Sequence, residues 1–237
     1  MNLKSYRGNI AVCISGLPRF PQGYESLNEL KKHLEECNPH TQVDWYFYLW
    51  DIPEDNKEWK PWIMDTFKPK RFELAPIPQF KTEDNIKAFE QIKRRRAFDK
   101  VRGENIYCMF KGIYECNQLI EGEYDVVIRS RTDLIYAPAG LYLAQYCTDS
   151  TFSNGGHLVL ANNTDQWAYP GSDTKVNHAY NDQFAIGNPD IMNKYAECFN
   201  LLDYIILAET GNSVPISGER ILYKHLQNQE VTVQPVP

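Results

Sequence analysis

Two uninterrupted apolar stretches, Ile10-Ala11-Val12-Cys13-Ile14 and Val126-Val127-Ile128, limit what this chain can become. A strand with water on one side alternates apolar and polar residues. A run without alternation is buried on both faces, as in a parallel sheet covered by helices front and back. The first run ends at Ser15-Gly16-Leu17-Pro18-Arg19. The second, opened by Tyr124-Asp125, is the clearer of the two, and it passes directly into Arg129-Ser130-Arg131-Thr132-Asp133-Leu134. Polar residues therefore arrive where the strands end, the edge at which open α/β sheets bind ligands.

The intervening pattern supplies the helices. Ser26-Leu27-Asn28-Glu29 has the form of a capping box, Leu27, Leu30, Leu34 and Cys37 fall on one face, and Asn38-Pro39 is a stop. Residues 43–50 and 71–74 read as strands. Residues 51–69, with Pro53, Pro61 and Pro69, read as an irregular excursion holding one short helix, where Trp59 and Trp62 are open equally to stacking on a sugar or base and to packing in the core. Residues 85–100 are charged and helical. Ile106, Met109, Phe110, Ile113, Leu119 and Ile120 repeat at three and four, marking a helix closed by Gly122. After short apolar runs at 157–161 and 184–186, Asn188-Pro189 opens a helix with Ile191, Tyr195, Cys198 and Leu202 on its buried face, and 219–226 form a last one. The order implies an α/β, mostly parallel, Rossmann-like sheet flanked by helices on both faces.

Composition narrows the function. With 237 residues the chain is long enough for one large core. A net charge of -6 removes the positive potential that drives nucleic-acid binding, so neither DNA nor RNA is expected as partner. No stretch approaches the ~20 apolar residues of a membrane span and no leader is visible. The six cysteines lack metal-site spacing and read as reduced, so a cytoplasmic protein is expected. Asn162-Asn163-Thr164 is then a chance sequon. The first loop matches neither G-x-G-x-x-G nor the P-loop pattern, which speaks against dinucleotide dehydrogenases and P-loop NTPases.

At the first strand end, Gly16 permits close approach of a ligand, and Ser15 and Arg19 suit phosphate; a plain turn with a surface arginine is the simpler alternative. At the second, Arg129, Arg131 and Asp133 alternate, so an extended chain turns them to one side. An ion pair explains one arginine and one carboxylate. The remaining positive charge calls for an anion.

These segments, Tyr124 through Leu134 together with Asn181-Asp182-Gln183-Phe184-Ala185-Ile186-Gly187, resemble small single-domain GT-A-type glycosyltransferases, of the kind found among bacterial surface-polysaccharide enzymes and large viruses. The resemblance extends to the opening strand and loop at 10–19 and the helix at 109–117. It implies a nucleoside-diphosphate sugar donor bound near Ser15, Gly16, Arg19, Arg129, Arg131 and Asp133, and a divalent cation, Mn²⁺ or Mg²⁺, held by Asp133 on the diphosphate. The chain departs from the usual D-x-D, having Arg131-Thr132-Asp133 with only the last carboxylate, so the arginines are an alternative neutraliser of the leaving group.

Sugar transfer with inversion needs a base for the acceptor hydroxyl. Asp182, in a polar patch before an apolar run, is the first choice, with Asp173 and Glu219 in reserve. Trp167, Tyr169 and His178 are expected to contact a glycan acceptor, with His157 a weaker candidate; the basic run Arg94-Arg95-Arg96 is a candidate for phosphates of the donor or of a lipid-linked acceptor, against the simpler alternative of a solvated helix face. The expected organisation is a single domain over 1–237, with a donor half at 1–135 and an acceptor half at 136–237. The competing readings are a sugar-nucleotide-forming nucleotidyltransferase, whose first loop would be richer in glycine and basic residues, and a catalytically silent sugar- or nucleotide-binding module.

Overall fold

A computed structural model describes residues 8–52, 57–78, 100–134, 157–160, 182–209 and 218–235. The strands are β1 (Asn9–Gly16), β2 (Gln42–Asp51), β3 (Arg71–Pro76), β4 (Val126–Ser130), β5 (His157–Leu160), β6 (Ala185–Gly187) and β7 (Thr232–Pro235). The helices are α1 (Gln22–Cys37), α2 (Trp59–Phe67), α3 (Lys100–Gln118), α4 (Pro189–Ala196), α5 (Leu202–Glu209) and α6 (Gly218–Asn228), with a 3₁₀ turn at Glu197–Phe199.

The strands form one seven-stranded sheet in the order β3-β2-β1-β4-β6-β5-β7. Neighbours run parallel except β6, which is antiparallel to both β4 and β5. The two expected apolar runs lie side by side at its centre, Ile10 opposite Val126 and Ile14 opposite Ser130. Successive residues of β1 turn to opposite faces. Ile10, Val12 and Ile14 meet Leu27, Leu30 and Leu34 of α1 and Trp59 and Ile63 of α2. Ala11 and Cys13 face Phe110 and Ile113 of α3, with the buried residues of α4, α5 and α6 beyond. Helices thus cover both faces, as the unalternating runs require.

Several local expectations hold. Asn188 caps α4, its Oδ1 accepting from the Ile191 N–H at 2.9 Å, with Pro189 in the first turn. Ile191, Tyr195, Cys198 and Leu202 are all buried, although Leu202 already belongs to α5.

Others are corrected. Ser26 does not cap α1, which begins at Gln22 after Pro21. The Ser26 side chain lies inside the helix and donates to the carbonyl of Leu134, a tertiary bond that local pattern cannot reveal. The short helix expected in the excursion after β2 is there, at 59–67, with Pro61 in the first turn, where its missing N–H has no partner to lose. Trp59 is buried, stacked at 5.5 Å on Phe20, and Trp62 meets Tyr24 edge-on at 4.7 Å, so both complete an aromatic cluster of the core. Helix α3 ends at Gln118, short of Gly122. The charged segment at 85–99 lies outside the described residues.

Candidate functional site

The parallel strands β1 and β4 end on one edge of the sheet. An antiparallel strand begins where its parallel neighbours finish, so the residues that lead into β6 arrive at that same edge. Asp182 therefore joins Ser15, Gly16, Arg129, Arg131 and Asp133 although 49 to 167 residues separate them in the chain.

The loop after β1 is fastened to the turn after β4 by one buried side chain. Thr132 donates its hydroxyl to the Leu17 carbonyl at 2.9 Å and accepts from the Arg19 N–H at 3.2 Å. On the far side, Ser26 of α1 holds the Leu134 carbonyl. The turn between them carries Asp133. Arg131 grips that carboxylate with two parallel hydrogen bonds, Nε to Oδ1 at 2.9 Å and Nη2 to Oδ2 at 2.8 Å. The Arg19 Nε approaches Oδ2 at 3.2 Å. Two guanidinium groups on one carboxylate leave one unit of positive charge.

Arg129 does not join them. It is buried inside the sheet edge, and its Nη1 donates to the backbone carbonyl of Asp182. The Tyr195 hydroxyl donates to the same oxygen at 3.4 Å. The alternation seen in the sequence brings Arg131 and Asp133 together, while the strand that holds Arg129 ends at Ser130.

Asp182 is itself buried, 7% exposed, and its carboxyl is pushed up to about 6. Burial is the main cause, helped by the negative charge of Glu219 in the first turn of α6, and opposed by Arg129 and then Arg131. Gly218 lies against it: a Cβ there would stand 2.7 Å from Asp182 Oδ2. Near neutrality such a group is mostly ionised yet more basic than an ordinary carboxylate, a state suited to accepting a proton.

In the first loop, Gly16 has a φ of +114° and nothing within 4 Å of where a Cβ would be. The Ser15 hydroxyl is buried beside it and has no hydrogen-bond partner among the described residues. The structure thus brings together Ser15, Gly16, Arg19, Arg131, Asp133 and Asp182, and puts Glu219 near Asp182. Trp167, Tyr169, His178, Asp173 and Arg94 to Arg96 lie outside the described residues, and His157 opens β5.

Thr132 and Gly218 were not singled out in the sequence. Thr132 stood in view as the middle of the motif, but its partner Leu17 is 115 residues away. Gly218 carries no sequence signal at all.

The expected divalent cation on Asp133 meets a carboxylate whose two oxygens are both engaged by guanidinium groups. Among the described residues no group of three or more His, Cys, Asp and Glu side chains is arranged to hold a metal ion. With two guanidinium groups on it, Asp133 is on charge grounds a poor ligand for a hard cation, whose further oxygen ligands would have to come from outside the described residues.

Solved glycosyltransferases share the architecture. The galactosyltransferase LgtC, in complex with donor and acceptor sugar analogs, matches with a TM-score of 0.51 at 13% identity, over 95% of this chain and 72% of that one. An active-site mutant of LgtC matches with a TM-score of 0.50 at 13% identity and the same coverage, 95% and 72%. GlyE of Streptococcus pneumoniae TIGR4, in its apo form, gives 0.47 at 13% identity, over 97% of this chain and 45% of that one. The chain has the GT-A glycosyltransferase fold, a mostly parallel sheet flanked by helices. No protein-family model matches it, and no curated protein matches it in sequence. No helix among the described residues is long and apolar enough to cross a membrane.

Proposed function

We propose that this protein transfers a sugar, with inversion, from a nucleoside-diphosphate donor to a hydroxyl of a glycan acceptor. The observation that carries the reading is Asp182: a buried carboxylate, raised to about 6, pinned through its carbonyl by Arg129 and Tyr195 at the ligand-binding edge of a glycosyltransferase fold.

The chemistry follows from the charges. The acceptor oxygen forms a bond to the anomeric carbon of the donor while the bond from that carbon to the diphosphate oxygen breaks, its electron pair leaving with the diphosphate. The acceptor proton passes to Asp182. Negative charge grows on the leaving diphosphate, on the side where Arg19 and Arg131 carry surplus positive charge. Gly16 and Ser15 supply open space and a spare hydroxyl beside it. The donor is bound by the half at 1–135 and the acceptor by the half at 136–237, where Trp167, Tyr169 and His178 are the proposed contacts. The free thiols Cys13, Cys37, Cys108, Cys116 and Cys198 suit a reducing compartment, and we place the reaction in the cytoplasm, in the making of a surface polysaccharide or a glycosylated viral or bacterial component.

The test incubates the protein with UDP-, GDP- and dTDP-sugars and a panel of glycan acceptors, and follows donor consumption and the anomeric configuration of the product. Inverted product, lost in Asp182→Asn while donor binding persists, is the expected result. A retained configuration would remove Asp182 as base, and binding of donor without turnover would favour a silent binding module.

A further inference from the structure

We infer that the donor diphosphate is held here by guanidinium groups without a divalent cation, a deepening that rests on the sugar-transfer reading above. The fold in which this chain lies implies a metal on the acid that closes the central-strand motif. Here that acid is spoken for. Arg131 takes one oxygen through Nε and the other through Nη2, and Arg19 adds a second charge to Oδ2. A metal ion on Asp133 would be left the one free lone pair of Oδ1 and would sit beside two positive charges.

The exposures decide which partner a ligand meets. The side chain of Arg19 is 53% exposed and that of Arg131 is 25% exposed, whereas that of Asp133 is 12% exposed. An incoming diphosphate therefore encounters cations, with the carboxylate drawn in behind them as their anchor. A guanidinium matches phosphate oxygens as it matches a carboxylate, in parallel hydrogen bonds. Arg19, held by one contact, can exchange its carboxylate oxygen for a phosphate oxygen while Arg131 stays in place by two.

The support beneath is built as well. Thr132 ties the Arg19 backbone to the motif, and Ser26 secures Leu134 just beyond it, so the two arginines start from fixed points on the chain. Gly16, where the first strand ends, has open space where a Cβ would be, so the backbone there is clear for a ligand. Two guanidinium groups offer a diphosphate charge and paired hydrogen bonds together.

The experiment measures binding of UDP, GDP, CDP and dTDP by calorimetry to the intact chain, in EDTA and in excess Mn²⁺ or Mg²⁺. One of them is expected to bind with the same affinity in both media. Arg19→Gln is expected to weaken that binding at least about tenfold in both, the worth of one hydrogen bond to a charged group. Because this side chain is half exposed, the melting temperature of the free variant should equal that of the wild type. Arg131→Lys, which keeps the charge and loses the fork, should also weaken binding, with its folding checked in the same way. A gain of about tenfold or more on adding Mn²⁺ or Mg²⁺ would overturn the inference while leaving sugar transfer standing, and its disappearance in Asp133→Asn would make Asp133 the metal's ligand. Absence of binding in both media would overturn the inference together with the reading on which it rests.

Discussion

A side chain on Gly218 would stand against the carboxylate of Asp182, its Cβ 2.7 Å from Oδ2 and 2.9 Å from the methyl of Met109. Met109 can bend away. Asp182 can give way only at its side chain, since Arg129 and Tyr195 fix its backbone carbonyl. Gly218→Ala should therefore turn the carboxylate, lowering kcat by ~10- to 100-fold, as misplacing a reacting group does, with a stability loss of about 1–3 kcal/mol from overpacking. Initial rates alongside thermal melts separate the two effects.

Asp182→Asn should abolish most turnover, by ~10²- to 10⁴-fold in kcat, and yet raise the melting temperature at pH 8. The carboxyl binds its proton more tightly in the folded state, at about 6, than in the unfolded chain, near 3.8. Its favourable contribution is complete below the unfolded value and is lost as pH climbs through the folded one. Above that, the buried charge costs about 3 kcal/mol. The variant should flatten the stability profile between those two pH values. In the wild type, kcat/KM should rise with pH and level off above about 6. A melting temperature lowered by the change would contradict the account.

Thr132→Val keeps the shape of the side chain and removes its hydroxyl, leaving the Leu17 carbonyl and the Arg19 N–H without their partner. The expected cost is about 1–3 kcal/mol in denaturant melts, with weaker binding of the nucleoside diphosphate as Arg19 drifts. Thr132→Ser should restore both. If Val and Ser behave alike, the clasp between the two loops has no energetic weight.

Gly112, inside α3, faces the Gly16 nitrogen at 3.6 Å and the Trp50 ring at 3.7 Å from where a Cβ would be, both ordinary contact distances. Alanine fits there without displacing anything, and a helix interior prefers it. Gly112→Ala should add about 0.5–1 kcal/mol, a rise of about 2–4 °C in Tm per kcal/mol. A fall in Tm would mean that α3 must approach the sheet more closely than these distances state.

Local signals carried much of this architecture, and long-range partners carried the rest. The strands at Ile10 and Val126 were legible because burial on both faces writes itself into every residue of a strand. Asn188-Pro189 was legible because a cap and its target lie three residues apart. The Ser26 pattern misled for the opposite reason: it copies a capping box, while the hydroxyl serves Leu134, 108 residues on. For Trp59 and Trp62 ligand stacking and core packing stayed open alternatives, because the ring partners Phe20 and Tyr24 that decide it lie in a distant part of the chain. At the site, Asp182 could be singled out as a polar residue entering an apolar run. What holds it could not be, since Arg129 is 53 residues distant and Gly218 contributes only an absence of atoms.

The sheet's two portions meet along three residue pairs, Val127 with Gly187, Ile128 with Ile186 and Arg129 with Ala185. Arg129, at one end of that seam, reaches across it to the backbone of Asp182. Neither portion of the sheet holds this arginine–carbonyl contact by itself. Sequence drift on either side is therefore filtered twice, once by whether the portion still docks and again by whether docking restores the alignment of arginine and aspartate. Lineages of such a protein would be free to exchange outer strands and surface helices while inheriting this narrow join as a unit.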